Sequence, residues 1–140
     1  MLKTSRLLVL LFACLCLFGC GDSKLVGSWN VPLEGGAKGT MTFSKDGNLT
    51  MLVQDTENHI TVTVTGTYSD GGDQLTMTMK NVEVTEIPDA MKAQSADLKS
   101  TFEKSLNVGV EKVANVKWTS DKSFTTTNPD SKVQLNFTKI

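Results

Sequence analysis

The sequence predicts a mainly β domain: an antiparallel up-and-down barrel of about eight strands, with one helix between the fifth and sixth. Three observations carry this. Residues 59–69 alternate strictly, with Ile60, Val62, Val64 and Tyr68 on one face and Thr61, Thr63, Thr65 and Thr67 on the other. That is the period of a strand with one buried and one wet face. Short runs of this kind recur, separated by turn residues such as Asp46-Gly47. Only one stretch, 88–107, has helical spacing. Strands in simple succession favour a closed barrel, because closure removes exposed edges. A two-sheet β-sandwich uses the same pattern and is the alternative.

Taken in order, the first strand covers residues 25–31 and carries Trp29. Residues 38–45 and 48–54 form a hairpin, with Met41, Phe43 and Met51 on inward parity. The fourth strand points Val62 and Tyr68 inward, and Asp70, Gly71, Gly72 and Asp73 then turn the chain. In residues 74–80, Leu75, Met77 and Met79 oppose Thr76 and Thr78. Beyond Lys80 the apolar parity switches from odd to even, at Val82 and Val84. A one-residue slip would flip every side chain, so a bulge is predicted near Lys80 and Asn81. Pro88 and Asp89 suit a helix start, Met91, Leu98, Phe102 and Leu106 form its apolar stripe, and Asn107 and Gly109 end it. Strands at about 110–119, 123–128 and 132–140 close the chain, the last with Leu135 and Phe137 inward.

The start of the chain reads as a separate segment. Lys3 and Arg6 precede residues 7–18, which are almost purely apolar. That run is too short for a helix crossing a hydrocarbon core of roughly 30 Å, and it fits a signal-peptide core. It ends in Leu17, Phe18, Gly19 and Cys20, which resembles the lipobox of bacterial lipoproteins. The resemblance implies a signal peptide over 1–19 and acylation of the Cys20 sulfur. One acyl chain holds a protein to a membrane only marginally, whereas two or three anchor it stably. Residues 20–24 would be a lipidated tether reaching at most about 17 Å, and 25–140 a single domain. Gly21 follows the cysteine rather than Asp. In diderm bacteria that combination implies the outer membrane, facing the periplasm.

Composition excludes several functions. All three cysteines, Cys14, Cys16 and Cys20, lie in or at the end of the leader, so the processed chain has no disulfide and no free thiol. Arg6, the only arginine, leaves with it. The remainder carries 12 lysines against 15 acidic residues, a formal charge of −3 without a basic patch, and nucleic acid is not an expected partner. His59 is the only histidine, too few for a metal site or a nucleophilic pair. The turns at Asp46 and Asp70 lack the alternating carboxylates of a calcium loop. Glu83 and Glu86 have opposite strand parity and would face apart unless the chain bends between them. No catalytic residue, metal or cofactor is expected, and the chain reads as a non-enzyme.

Further residues resemble a known family. The opening Leu25, Val26, Gly27, Ser28 and Trp29 resembles the Gly-x-Trp first strand of lipocalin-like proteins. Thr42 to Gly47, then Gly66-Thr-Tyr68, then Gly72-Asp-x-Leu75, and finally Phe137 to Ile140 follow the layout of small lipocalin-like bacterial lipoproteins. The resemblance implies a barrel closed at one end by Trp29. Two departures stand out. No arginine is available to pack over the tryptophan, leaving Lys139 as the only nearby candidate, and the helix precedes the sixth strand instead of following the last. The inward set of Trp29, Met41, Phe43, Met51, Val62, Tyr68, Met77, Met79, Leu135 and Phe137 includes four flexible methionines. Methionine serves both irregular cores and adaptable binding surfaces. The expected partners are a membrane through acylated Cys20 and a small hydrophobic ligand, or else an envelope protein.

Overall fold

Threonine-rich alternation becomes strand wherever a turn residue lets the chain reverse. In a computed structural model describing residues 23–140, eight antiparallel strands follow each other in chain order and close into one barrel. They are β1 (Gly27–Pro32), β2 (Lys38–Phe43), β3 (Asn48–Asp55), β4 (Ile60–Asp70), β5 (Gln74–Glu86), β6 (Glu111–Ser120), β7 (Ser123–Thr127) and β8 (Gln134–Lys139). β8 returns to β1 through Trp29↔Lys139 and Asn30↔Thr138, so the barrel closes within residues 27–139. This is the predicted barrel and not the sandwich. The leader over 1–19 and the acylation site Cys20 lie outside the described residues.

The first strand starts later than residue 25. Ser23 begins a turn in which the Val26 amide donates to the Ser23 carbonyl at 3.1 Å. His59 is likewise turn rather than strand, in the left-handed region at φ 53°.

The parity switch in β5 has the predicted cause. Thr65 faces Asn81 and Gly66 faces Met79, leaving Lys80 as the extra residue. A second bulge was not foreseen. Thr61 faces Glu86 while Val62 faces Val84, leaving Thr85 unpaired. It resets parity between the two glutamates, which thus share the outer face, opposite Thr63 and Thr61. Glu83 accepts from Asn81 Nδ2 at 3.0 Å and Glu86 from Thr61 Oγ1 at 2.7 Å.

β5 and β6 pair only over Gln74–Thr78 and Glu111–Asn115. Beyond that the Gly109 amide donates to the Met79 carbonyl at 2.8 Å, and the helical segment lies along the rest of β5. The predicted helix over 88–107 divides into a 3₁₀ segment, Asp89–Gln94, and one α-helix, α1 (Ser95–Ser105). No side chain caps either start. The tighter turn lets Met91 N–H reach the Pro88 carbonyl at 2.8 Å instead. Phe102, Leu106 and Val108 pack against the core.

Candidate functional site

The two ends of the barrel differ. At one end the chain enters through Ser23 to Val26, and the β2–β3, β4–β5 and β6–β7 turns gather there. Trp29 is fully buried, and its indole N–H donates to the Leu25 carbonyl at 2.7 Å. Phe124 meets Trp29 edge-on at 4.8 Å and stacks on Phe137 at 4.5 Å and 5°. Trp118 closes the cluster, 5.9 Å from Trp29. The Lys139 ammonium lies 5.4 Å from the Trp29 ring centroid, where a cation gains from the ring's negative face. Beside this cluster Phe43 meets Tyr68 edge-on at 4.9 Å, and the Tyr68 hydroxyl donates to the Ser44 carbonyl at 2.7 Å. Burial, then the nearby charges of Asp70 and Asp46, push the Tyr68 phenol above its ordinary range. This end is filled.

The other end is open. A partly enclosed cavity of about 550 Å³ lies between the β1–β2 loop, the end of α1, β6 and the β7–β8 loop. Pockets for small molecules run from about 300 to 1,000 Å³. Phe137 forms the floor, Met41, Met51, Met77 and Met79 line the walls, and Leu106 with Val31 and Leu33 completes the apolar lining. Val113, Val133 and Leu135 stand at the lip, and all three are exposed although large and apolar.

The predicted inward residues therefore separate by depth along the barrel. Trp29, Phe43 and Tyr68 belong to the filled end, and Val62, near the start of β4, is buried core outside the cavity lining. Met41, Met51, Met77, Met79, Leu135 and Phe137 belong to the cavity. Leu135 departs from the expectation of an interior residue. It keeps inward parity with Phe137, but β8 reaches the mouth there and leaves it 38% exposed.

Sequence reasoning missed two polar groups. Thr126 on β7 is only 5% exposed and lines the cavity. Its hydroxyl has no hydrogen-bond partner among the described residues, yet it is not sealed from the cavity space. Lys112 on β6 also lines the cavity, and no described residue pairs with it. Both were legible in principle. Lys112, Ala114, Val116 and Trp118 have one parity, and Thr126 shares that of Phe124.

The turn carboxylates are occupied by their own loops. Asp46 accepts from Ser44 at 2.5 Å and from the Asn48 amide and side chain at 3.1 and 2.8 Å. These bonds, the Ser44 hydroxyl first, hold its carboxyl below the usual range. Asp55 is held low by the Asn58 side chain and amide. Among the described residues no three His, Cys, Asp or Glu side chains come together as a metal cluster.

Fold and cavity together define a small closed eight-stranded antiparallel barrel, filled at one end and hollow at the other. No family model matches the chain, and no curated protein sequence matches it. Its fold is similar to the crystal structure of an uncharacterised protein from Bacteroides eggerthii. That similarity has a TM-score of 0.53 at 17% identity, over 83% of this chain and 99% of the other. It carries the barrel fold and nothing about activity.

Proposed function

We propose that this protein is a non-enzymatic, lipocalin-like lipoprotein that takes a small apolar ligand into the open end of its barrel. One observation carries the ligand reading: a methionine-walled cavity of about 550 Å³ that holds an unpartnered, nearly buried hydroxyl on Thr126. That hydroxyl is reached from the cavity space, so a polar atom of a ligand or a water can bond to it there. Placing Lys139 over Trp29 supports the family reading, since a lysine takes the position the family gives to arginine.

Anchoring through Cys20 rests on the lipobox. Ser23 lies at the filled end, where its hydroxyl bonds to Asp70. Two residues, Gly21 and Asp22, separate it from Cys20, so three residue steps give a reach of about 10 Å. The filled end would then face the bilayer and the cavity would open away from it. Incorporation of radiolabelled palmitate in cells, abolished by Cys20→Ser, tests the anchor, and its co-fractionation with the outer membrane tests the location. No label on the unaltered chain removes this part of the reading.

The ligand reading is tested with the chain from Ser23 onward, since all eight strands close within it. The neutral dye N-phenylnaphthylamine should brighten on binding, and Ala114→Phe, which fills the cavity from β6, should weaken binding about tenfold or more. A dye-refractory barrel rejects the reading. It would favour the alternative of an envelope protein seated on the exposed apolar lip.

A further inference from the structure

Lys112 occupies an unusual position. It sits directly across from Met77 in the β5–β6 ladder, and residues opposite each other in a ladder share a face. Met77 faces inward, so Lys112 does too. The flanking residues on its parity, Ala114 and Val116, line the cavity and the core. Among the residues lining the cavity, Lys112 is the one ionisable group. No Asp or Glu lines it, and no described residue forms an ion pair with Lys112.

We propose that the cavity selects chain amphiphiles with an anionic head, a specificity that rests on the ligand-binding reading above. The geometry sets the direction. Lys112 lies four residues towards the mouth from Val116, about 13 Å along the strand, and Val116 pairs with Thr126. The cationic group is therefore at the mouth and the apolar floor at Phe137 is deep. A carboxylate head meets the Lys112 ammonium at the mouth, and its chain runs down between Met41, Met51 and Met79 to Phe137. Methionine side chains adapt to a flexible chain without a fixed shape. A cationic head would meet Lys112 as a like charge, with no Asp or Glu in the cavity lining to offset it. The bland alternative is a lysine that lays its stem on Met77 and keeps its ammonium in water, with no say in what binds.

The test uses the chain from Ser23 and displacement of N-phenylnaphthylamine by three ligands of equal chain length: decanoate, decanol and decylammonium. The comparison is made at about pH 8, where the decanoate carboxylate is ionised. Decanoate should displace the dye about tenfold better than decanol, equivalent to ~1.4 kcal/mol, and decylammonium should be weakest. Lys112→Met should bring the decanoate-to-decanol ratio to about one, and Lys112→Arg should retain it. Lys117→Met, on the exposed outward face of the same strand, should leave the ratio unchanged. Equal displacement by decanoate and decanol in the unaltered protein overturns the proposal, and so does a ratio that survives Lys112→Met. Failure of the dye itself to bind rejects the ligand reading, and this proposal with it.

Discussion

Gly66→Ala is the sharpest probe of how this barrel is built. Gly66 is buried on β4, at the register shift created by the Lys80 bulge. A Cβ there would lie 2.2 Å from the Thr78 carbonyl oxygen and 3.0 Å from the Thr78 carbonyl carbon and Met79 Cα. All three atoms are backbone of the paired strand, so no side chain can rotate away. Ordinary contact begins at 3.4 Å, and relief requires the two strands to part by about 1 Å where the bulge already bends β5. Overpacking of this kind costs about 1–3 kcal/mol, occasionally more, and the rigid partners place Gly66→Ala at about 3 kcal/mol or above. The sign is informative, because Gly→Ala within a strand otherwise gains about 0.5–1 kcal/mol. Urea unfolding with an unchanged slope would show the loss as a lower midpoint. Gly72→Ala is the comparison: its Cβ meets nothing within 4 Å, but φ is 88°, so conformational strain of about 1–2 kcal/mol is expected. A Gly66→Ala protein within 0.5 kcal/mol of the unaltered chain would refute the close approach of β4 and β5.

Other perturbations test separate parts of the molecule. Trp29→Phe removes the donor to the buried Leu25 carbonyl, and should cost about 1–3 kcal/mol in urea unfolding, plus the contact with Lys139. Tyr68 has a folded-state pKa raised above its ordinary value of 10.0. Its contribution is complete below about pH 10 and is lost as pH rises through the folded value. The midpoint should therefore fall in alkali, and Tyr68→Phe should flatten that fall while losing the 2.7 Å bond to Ser44. The Asp46 carboxyl is held low by its turn donors, so its contribution is present above the ordinary carboxylate range and lost as pH falls. Asp46→Asn should weaken the acid dependence of the midpoint, and an unchanged acid limb would contradict the turn's hydrogen bonding.

The fold was largely readable because its signals are local. Alternation in residues 60–70 and 74–79 needs no distant contact to become strand, and Asp46-Gly47 needs none to become a turn. Even the Lys80 bulge was visible, because apolar side chains must return to the interior on the far side of it. The Thr85 bulge left only a faint mark, since Thr85 and Glu86 are polar and Ile87, just beyond the end of β5, is the single apolar residue before Pro88 that shows the reset parity. The 3₁₀ start of the helical segment also escaped, because it depends on how uncapped amides find carbonyls after Pro88.

The candidate site was readable only in part. Met41, Met51, Met77, Met79 and Phe137 were marked as inward by parity alone, yet parity cannot separate a side chain that fills the core from one that lines a hollow. Depth along the barrel axis makes that distinction. It follows from where the aromatic cluster of Trp29, Trp118, Phe124 and Phe137 sits, and from how early β6 parts from β5. Lys112 was hidden for the same reason: a charge in an alternating run reads as solvent-facing until Met77 is found across from it. Alternation and turn chemistry by themselves determined which residues form strands and which way most side chains face, because both act between neighbours in the chain. Only the closed barrel decided that one end is packed solid and the other holds a cavity with a single cation at its mouth, because that depends on which residues, far apart in sequence, meet at each level of the barrel.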